Sequence, residues 1–235
     1  MTTTDAAGIG LRLSRRHAAQ QIARIPPPGT GRVVVVAPHP DDETFGAGAT
    51  VHDLVQRGHE VRIVIVTDGA ASHDRAGLAV IRRREAVRAA ELLGVTAPPQ
   101  FLDLPDGHVA GLRESLAARL RSCIEGSVLV IGPRSGDGHP DHEATAEALI
   151  EATMGIAEDQ RPAVWRYAIW AWQWEGITAA HLAGAGVWVA SKAARSKRAA
   201  AIAAYGSQTT KAMGRVIVPA PMIADIEDSD EVFWC

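Results

Sequence analysis

Two short clusters carry residues able to hold a cation and to move protons. The first is His39-Pro40-Asp41-Asp42, followed by Glu43; the second is His139-Pro140-Asp141-His142. Imidazole nitrogen and carboxylate oxygen together suit a borderline divalent ion such as zinc. A catalytic site for that ion wants about three protein ligands and one position open for water. The two clusters can supply that number and still leave groups for proton transfer. Proline fixes the chain, so side chains three apart can face one point. Asp41 and Asp42 then point differently, and one can ligate while the other serves as a base. The plainer alternative is helix capping, because Asp42 and Asp141 stand where N-caps belong. Capping, however, does not also call for three histidines.

The elements that must bring these clusters together can be read from periodicity. Residues 32–37 (RVVVVA) form a β-branched run, the pattern of a strand buried on both faces. A helix is expected from Phe45 to Arg57, closed by Gly58, and a second buried strand over Val61–Thr67, ending in the Asp68-Gly69 turn. Ala79–Leu93 reads as a helix, Phe101–Leu104 as a strand followed by Pro105-Asp106-Gly107-His108, and Ala110–Glu125 as a helix. Ser127–Ile131 is a fourth strand, and Asp141–Met154 a further helix. Strands alternating with helices predict a parallel sheet covered on both faces. Right-handed crossovers then put every strand's carboxyl end on one edge, where open α/β sheets hold ligands. His39–Asp42, Asp68, Asp106 and His139–His142 should converge there.

The last third is less regular. Val164–Trp174 (VWRYAIWAWQW) places Trp170, Trp172 and Trp174 at period two, which predicts a strand with one aromatic face. That face suits core packing, a sugar or lipid platform, or self-association into a homo-oligomer. Gly186–Ser191 reads as a short strand and Lys192–Ala204 as a helix, followed by Tyr205-Gly206-Ser207-Gln208 and an acidic tail closing in VFWC. At the other end, residues 1–30 hold one loosely amphipathic helix around Leu11, Leu13, Ala18, Ala19, Ile22 and Ala23, stopped by Pro26-Pro27-Pro28.

Composition narrows the function class. The chain has 235 residues, a net charge of −3 and 47% hydrophobic residues, enough for one large α/β domain. Nothing in the charge pattern suggests nucleic acid, and no apolar run approaches the ~18–20 residues of a membrane span. Arg15 and Arg16 are followed by Ala and Gln, so no secretory or twin-arginine signal is expected. Two cysteines, Cys123 and Cys235, imply no disulfide framework. A cytoplasmic protein without a membrane anchor is the expectation. Histidines 52, 59, 73, 108 and 181 have no partner at metal spacing and read as surface or satisfied residues. A nucleotide-binding domain is disfavoured, since His-Pro-Asp-Asp stands where G-x-G-x-x-G would follow the first strand.

The chain resembles the PIG-L/LmbE family of zinc-dependent de-N-acetylases. The two histidine motifs carry the specific part of the likeness. Arg82-Arg83-Arg84-Glu85, Leu93-Gly94, Phe101-Leu102, Pro105-Asp106-Gly107, Lys197 and Ser207-Gln208 resemble the family's weaker signals. Pro38 is one residue more than the family pattern has before the histidine. The resemblance implies a Rossmann-like three-layer α/β fold, with a mainly parallel sheet, helices on both faces and an irregular C-terminal part. It implies one deacetylase domain over residues 31–235 behind an extension of residues 1–30. It further implies one Zn2+ held by His39, Asp42 and His142, with Asp41 as the general base. His139 would stabilise the oxyanion as an imidazolium and protonate the leaving amine, and Asp141 would orient an imidazole. Arg82 and Asp106 would contact sugar hydroxyls. The expected activity is hydrolysis of an N-acyl, foremost N-acetyl, amide on a glucosamine-containing small molecule. The competing expectations are an amidase for a larger acyl group or a thiol-conjugated glucosamine, and a zinc-binding scaffold without turnover.

Overall fold

The computed structural model describes residues 12–174 and 176–235. Its centre is strand β1 (Arg32–Ala37), whose valines are fully buried and divide between the two faces of the sheet. Val33 and Val35 pack into one core layer and Val34 and Val36 into the other. Adjacent valines thus serve opposite layers, which is why the run shows no polar alternation. Helix α2 (Asp42–Gln56) follows, then β2 (Glu60–Thr67), α3 (Leu78–Leu93), β3 (Gln100–Leu104), α4 (Arg113–Ile124), β4 (Leu129–Pro133), α5 (Pro140–Met154) and β5 (Ala163–Tyr167). Up to α5 these boundaries lie within a few residues of the sequence expectations.

Among the described residues the sheet has seven strands, the five named so far lying parallel in the order β3-β2-β1-β4-β5. One core layer draws on α2 and α3, and the other on α4 and α5. The result is the expected three-layer α/β architecture. Gly46 in α2 marks how closely the layers approach: a Cβ there would stand 2.5 Å from the Tyr167 ring. The Tyr167 hydroxyl donates across the sheet to the Val36 carbonyl at 2.9 Å.

The structure departs from expectation in three ways, the first two in the last third of the chain. The tail forms helix α8 (Ala220–Glu227) and strand β7 (Glu231–Trp234) after β6 (Ala185–Trp188), α6 (Lys192–Ala204) and α7 (Gly206–Thr209). Strand β7 inserts between β5 and β6, antiparallel to both. Its residues are buried, so VFW is a strand rather than a loose end.

The second departure is the tryptophan stripe. The strand stops at Tyr167, and Trp170–Trp172 form a 3-10 turn. The cause is Asp137, whose buried Oδ1 accepts the Ile169 and Ala171 N–H groups at 2.7 and 3.0 Å and bends the chain out of the sheet. Trp170 and Trp174 therefore meet, their rings 4.5 Å apart, while Trp172 lies near Trp234 and under the Arg15 guanidinium.

The third concerns the N-terminal segment. Its helix α1 is short (Arg15–Ala19), and Leu11 of the expected helix lies outside the described residues. Residues 23–25 run alongside β6, Ile25 N–H donating to the Val187 carbonyl and Val187 N–H to the Ala23 carbonyl. The segment thereby covers an edge that would otherwise present unpaired backbone groups.

Candidate metal centre and cavity

The exits of β1 and β4 lie side by side because those strands are paired. At the first exit, Thr67 of β2 ties down Pro38: its N–H and its hydroxyl both donate to the Pro38 carbonyl at 2.9 Å. The next residues turn sharply into α2, with Asp41 at φ 134°, a region costly for any residue with a Cβ. Two neighbours hold it there. The Asp41 N–H donates to the Glu43 carboxylate at 3.1 Å, and the Arg82 guanidinium bonds the Pro40 carbonyl at 2.5 Å and meets Asp41 Oδ2 at 3.1 Å. Arg82 also donates to the Gly69 carbonyl at 3.0 Å. Gly69 must be glycine on two counts, a φ of 65° and a guanidinium only 2.5 Å from where a Cβ would stand.

At the second exit, His139 is the N-cap of α5, Pro140 its first residue, and the His139 Nδ1 accepts the Asp141 N–H at 3.3 Å. Helix capping thus falls to this histidine and not to Asp42 or Asp141. With Nδ1 accepting, the His139 proton resides on Nε2, the nitrogen left to act as donor.

The two turns meet at the Asp42 carboxylate. Its Oδ2 lies 3.1 Å from His39 Nδ1 and 3.1 Å from His142 Nε2. His142 is fully buried, yet neither of its ring nitrogens has an aligned hydrogen-bond partner. Its Nδ1 lies 2.7 Å from Asp137 Oδ2. The far side of the His39 ring is as crowded: Nε2 lies 3.2 Å from Asp106 Oδ1 and 3.3 Å from Asp141 Oδ2. Asp141 is itself fixed by the N–H groups of Gly107 and Val109, and Asp106 by that of Ala71. Two sets of donor atoms are gathered closely enough to share a cation: His39 with His139 and His142, and His39 with Asp106 and Asp141. The expected triad of His39, Asp42 and His142 overlaps the first set, with Asp42 bridging its two imidazoles.

The electrostatics follow from burial opposed by pairing. Burial works against charge on Asp42, but His142 and His39 outweigh it and hold its carboxyl well below the usual range. Asp137 and Asp141 are held down in the same way by His142 and His39 respectively, and Asp106 sits at about 2. The converse lifts the imidazoles. Burial disfavours their charge, yet the surrounding carboxylates raise His142 to about 9 and His39 well above its ordinary value. Four ionised carboxylates around two imidazoles make a buried site that calls for positive charge.

Asp41 goes the other way. Burial pushes its carboxyl up to about 8, against the pull of Arg82 and with the help of Asp42 and Glu43. His139 is held down at about 4, by burial first and then by the charges of His39 and His142.

His39, Asp41, Asp42, Arg82, Asp106 and His139 border one cavity of about 320 Å3, lined also by Ser72, Gln208, Trp170, Trp174, Arg215 and Ile217. Residues 34–153 match the family described as GlcNAc-PI de-N-acetylase, PIG-L. The chain belongs to the PIG-L family. It is 31% identical over 150 residues to a probable N-acetyl-alpha-D-glucosaminyl L-malate deacetylase 2 of Bacillus anthracis, a match covering 55% of this chain and 62% of that one. It is 32% identical over 132 residues to diacetylchitobiose deacetylase of Thermococcus kodakarensis, covering 52% and 48%. The chain thus spans about half to three-fifths of the length of these relatives. Among solved structures, the zinc-inhibited form of teicoplanin deacetylase Orf2 superimposes with a TM-score of 0.67 at 21% identity, over 86% of this chain and 97% of that one, a likeness of fold.

Of the residues to which the resemblance gives a role in this PIG-L chain, His39, Asp41, Asp42, Arg82, Asp106 and His139 line the cavity, while His142 contacts Asp42 and Asp141 contacts His39. Arg82 and Asp106 line the cavity, but their hydrogen bonds and ion contacts go to protein groups, Arg82 to the β1 turn and Asp106 to His39 and Ala71. The imidazole that Asp141 reaches is that of His39, at 3.3 Å. Two residues escaped the sequence reading. Asp137, in Gly-Asp-Gly, reads as a turn residue; a signal was available, since a ligating histidine needs a carboxylate behind its other nitrogen. Glu43 reads as part of the acidic cluster, yet it holds the Asp41 N–H and accepts the Thr44 and Tyr205 hydroxyls. The histidines read as satisfied are so: His52 bonds the Leu93 carbonyl, His59 that of Gly31 and His73 that of Arg215.

Proposed function

We propose that this chain hydrolyses the N-acetyl amide of a glucosamine-containing small molecule, using one divalent ion, zinc foremost. The observation that carries the reading is the meeting of the two turns: one carboxylate oxygen of Asp42 within 3.1 Å of a nitrogen on each of two buried histidines, one of which has no aligned hydrogen-bond partner. Such a donor set, one carboxylate and two imidazoles backed by Asp137 and Asp141, suits an ion that prefers nitrogen and oxygen ligands and keeps an open position. His39, Asp42 and His142 would hold it. When bound, such an ion supplies Lewis acidity, polarising a carbonyl and acidifying water from a pKa of 15.7 to about 7.

The remaining steps fall to the chain's own groups. Asp41 takes a proton from the attacking water. Burial raises its carboxyl above the usual carboxylate range, so that once ionised it is a stronger base than the carboxylates held down around it. Arg82 keeps Asp41 in its strained position and aims it. His139, whose Nδ1 accepts the Asp141 N–H and leaves Nε2 as the donor, gives a hydrogen bond to the substrate carbonyl as charge builds on its oxygen. One donor of this kind is typically worth ~10²–10³ in rate. The proton held by Asp41 then passes to the departing amine, with which His139 also shares the cavity. Asp106 and Arg82 stand on the wall where sugar hydroxyls would lie. The names of the relatives, which include deacetylases of an N-acetylglucosaminyl malate and of diacetylchitobiose, support an N-acetylglucosamine unit as the acyl carrier.

The test combines metal analysis with an amine-release screen on N-acetylglucosamine glycosides. Acetate and free amine should appear in equal amounts, disappear after chelation and return with zinc. Purified protein that binds no divalent ion, or turnover indifferent to chelation, overturns the reading.

A further inference from the structure

Trp174 is 50% exposed, an unusual setting for the largest side chain, and it lines the same cavity as His139. Its ring stacks on Trp170 at 4.5 Å between centroids and 19° between planes. Both rings lie within 27° of parallel to the His139 ring, at 6.4 and 6.2 Å. Trp170 is half-buried and packs against the core, which leaves Trp174 as the exposed member of the pair, while Trp172 between them is buried near Trp234. The turn that presents the pair is held from several sides. Asp137 takes the Ile169 and Ala171 N–H groups, and Arg15 donates to the Ala168 and Ile169 carbonyls. The Trp170 carbonyl accepts the Gln173 and Trp174 N–H groups. An exposed indole backed by a second, half-buried one and fixed in advance beside the proposed reacting groups loses little entropy on meeting a ligand. Indole faces attract other flat faces, whether an aromatic ring or the C–H face of a pyranose. Ile217 adds a further apolar side chain to the cavity lining.

We propose that Trp170 and Trp174 form an aglycone subsite, which stacks on a ring attached to the glucosamine unit and selects ring-bearing glycosides over acyclic ones. The subsite rests on the glucosaminide reading above and adds the substrate class to it. The ring can come from a second sugar or from an aryl group, and the substrates tested separate the two.

The experiment compares the methyl glycoside of N-acetylglucosamine with its phenyl glycoside and with diacetylchitobiose. Acetate release gives kcat/KM, and calorimetry gives Kd without requiring turnover. In the native chain one of the ring-bearing compounds should exceed the methyl glycoside by about 3–10-fold on both measures, the gain expected of one aromatic stack. The better of the two names the source of the ring. Trp174→Ala should bring that ratio close to one, and Trp174→Phe should keep most of it. A ratio near one in the native chain, or one that survives Trp174→Ala, overturns the subsite. Failure of all three compounds to release acetate overturns the proposed function, while the Kd ratios still decide the subsite.

Discussion

The cavity has a floor and a wall, and they are built by opposite means. The floor is His39, Asp41 and Asp42, with His142 buried behind Asp42, at the exits of two paired central strands. Each of these side chains is less than a tenth exposed, and its polar atoms are crowded by further buried groups. The wall is Trp170, Trp174, Arg215 and Ile217, carried on a 3-10 turn and on a stretch outside regular structure. Of these, Trp174 and Arg215 are exposed. On the floor a displacement of one group disturbs several buried charges at once. On the wall a side chain can change at small cost to its neighbours. Chemistry that depends on sub-ångström placement belongs on the first kind of surface, and choice of substrate on the second.

The severest way to break the comparison is to remove a floor ligand. His142→Ala should take the divalent ion from about one per chain to none and leave turnover at background, a loss we place above ~10³-fold. Metal analysis beside an activity assay checks it, with a thermal melt to confirm folding. Retained metal at full stoichiometry would remove His142 from the ligand set. Next in size is Asp41→Asn, which keeps the shape of the base and takes away its function. The ion should stay and kcat should fall ~10²–10⁴-fold, the range for a lost general base. Near-native kcat would assign the proton transfer to another group.

Asp137 joins the two regions, and it divides them by atom. Its Oδ2 backs His142 of the floor, and its Oδ1 holds the turn that carries the wall. Asp137→Asn can keep an oxygen on the turn while replacing the charge behind the histidine. Metal affinity should weaken ~10–100-fold while ring selectivity survives. Asp137→Ala should lose both. Titration with zinc and the glycoside comparison read the two effects separately. Equal damage from both variants would mean that floor and wall are a single unit.

This division also explains what was legible in the sequence. The floor announced itself because its residues are near one another in each motif and because β-branched runs point to the strand exits. Val33–Val36 needed only local pattern to be placed at the centre of the sheet. The partners behind the floor were hidden for a different reason: the value of Asp137 lies in a contact to His142 across a turn, and in isolation Gly-Asp-Gly is only a bend. The wall was misread because periodicity cannot see a side chain that intercepts the backbone. Three tryptophans at period two form a strand face until Asp137 takes two N–H groups and turns the chain. Strand β7 was hidden as well, since its partners β5 and β6 lie tens of residues away and pair with it only after the parallel sheet exists.

The mildest test reaches the wall from behind, at Arg15. This guanidinium is buried, donates to the Ala168 and Ile169 carbonyls at 3.2 and 3.4 Å, meets Asp225 at 3.4 Å and lies 5.3 Å over the Trp172 ring. Burial alone would favour its discharge, and its pKa is lowered to about 10, with Asp225 the first of the charges that resist the fall. At neutral pH it is therefore a charged strut that joins the N-terminal segment to the tryptophan turn. Arg15→Ala leaves two carbonyls without a donor, a cost of about 1–3 kcal/mol each at most. For a chain of this size each kcal/mol lowers the melting temperature by roughly 2–4 °C. Metal stoichiometry should not change, because no atom of Arg15 reaches the floor. Ring selectivity should fall part-way, about twofold, as the indole pair loses its fixed position and some of its stack. Full selectivity at a lowered melting temperature would make the indole pair self-supporting, held by its own stacking and by Asp137. Lost metal would instead extend the floor's reach to the N-terminal segment, and the cavity would have to be treated as one body from Arg15 to His142.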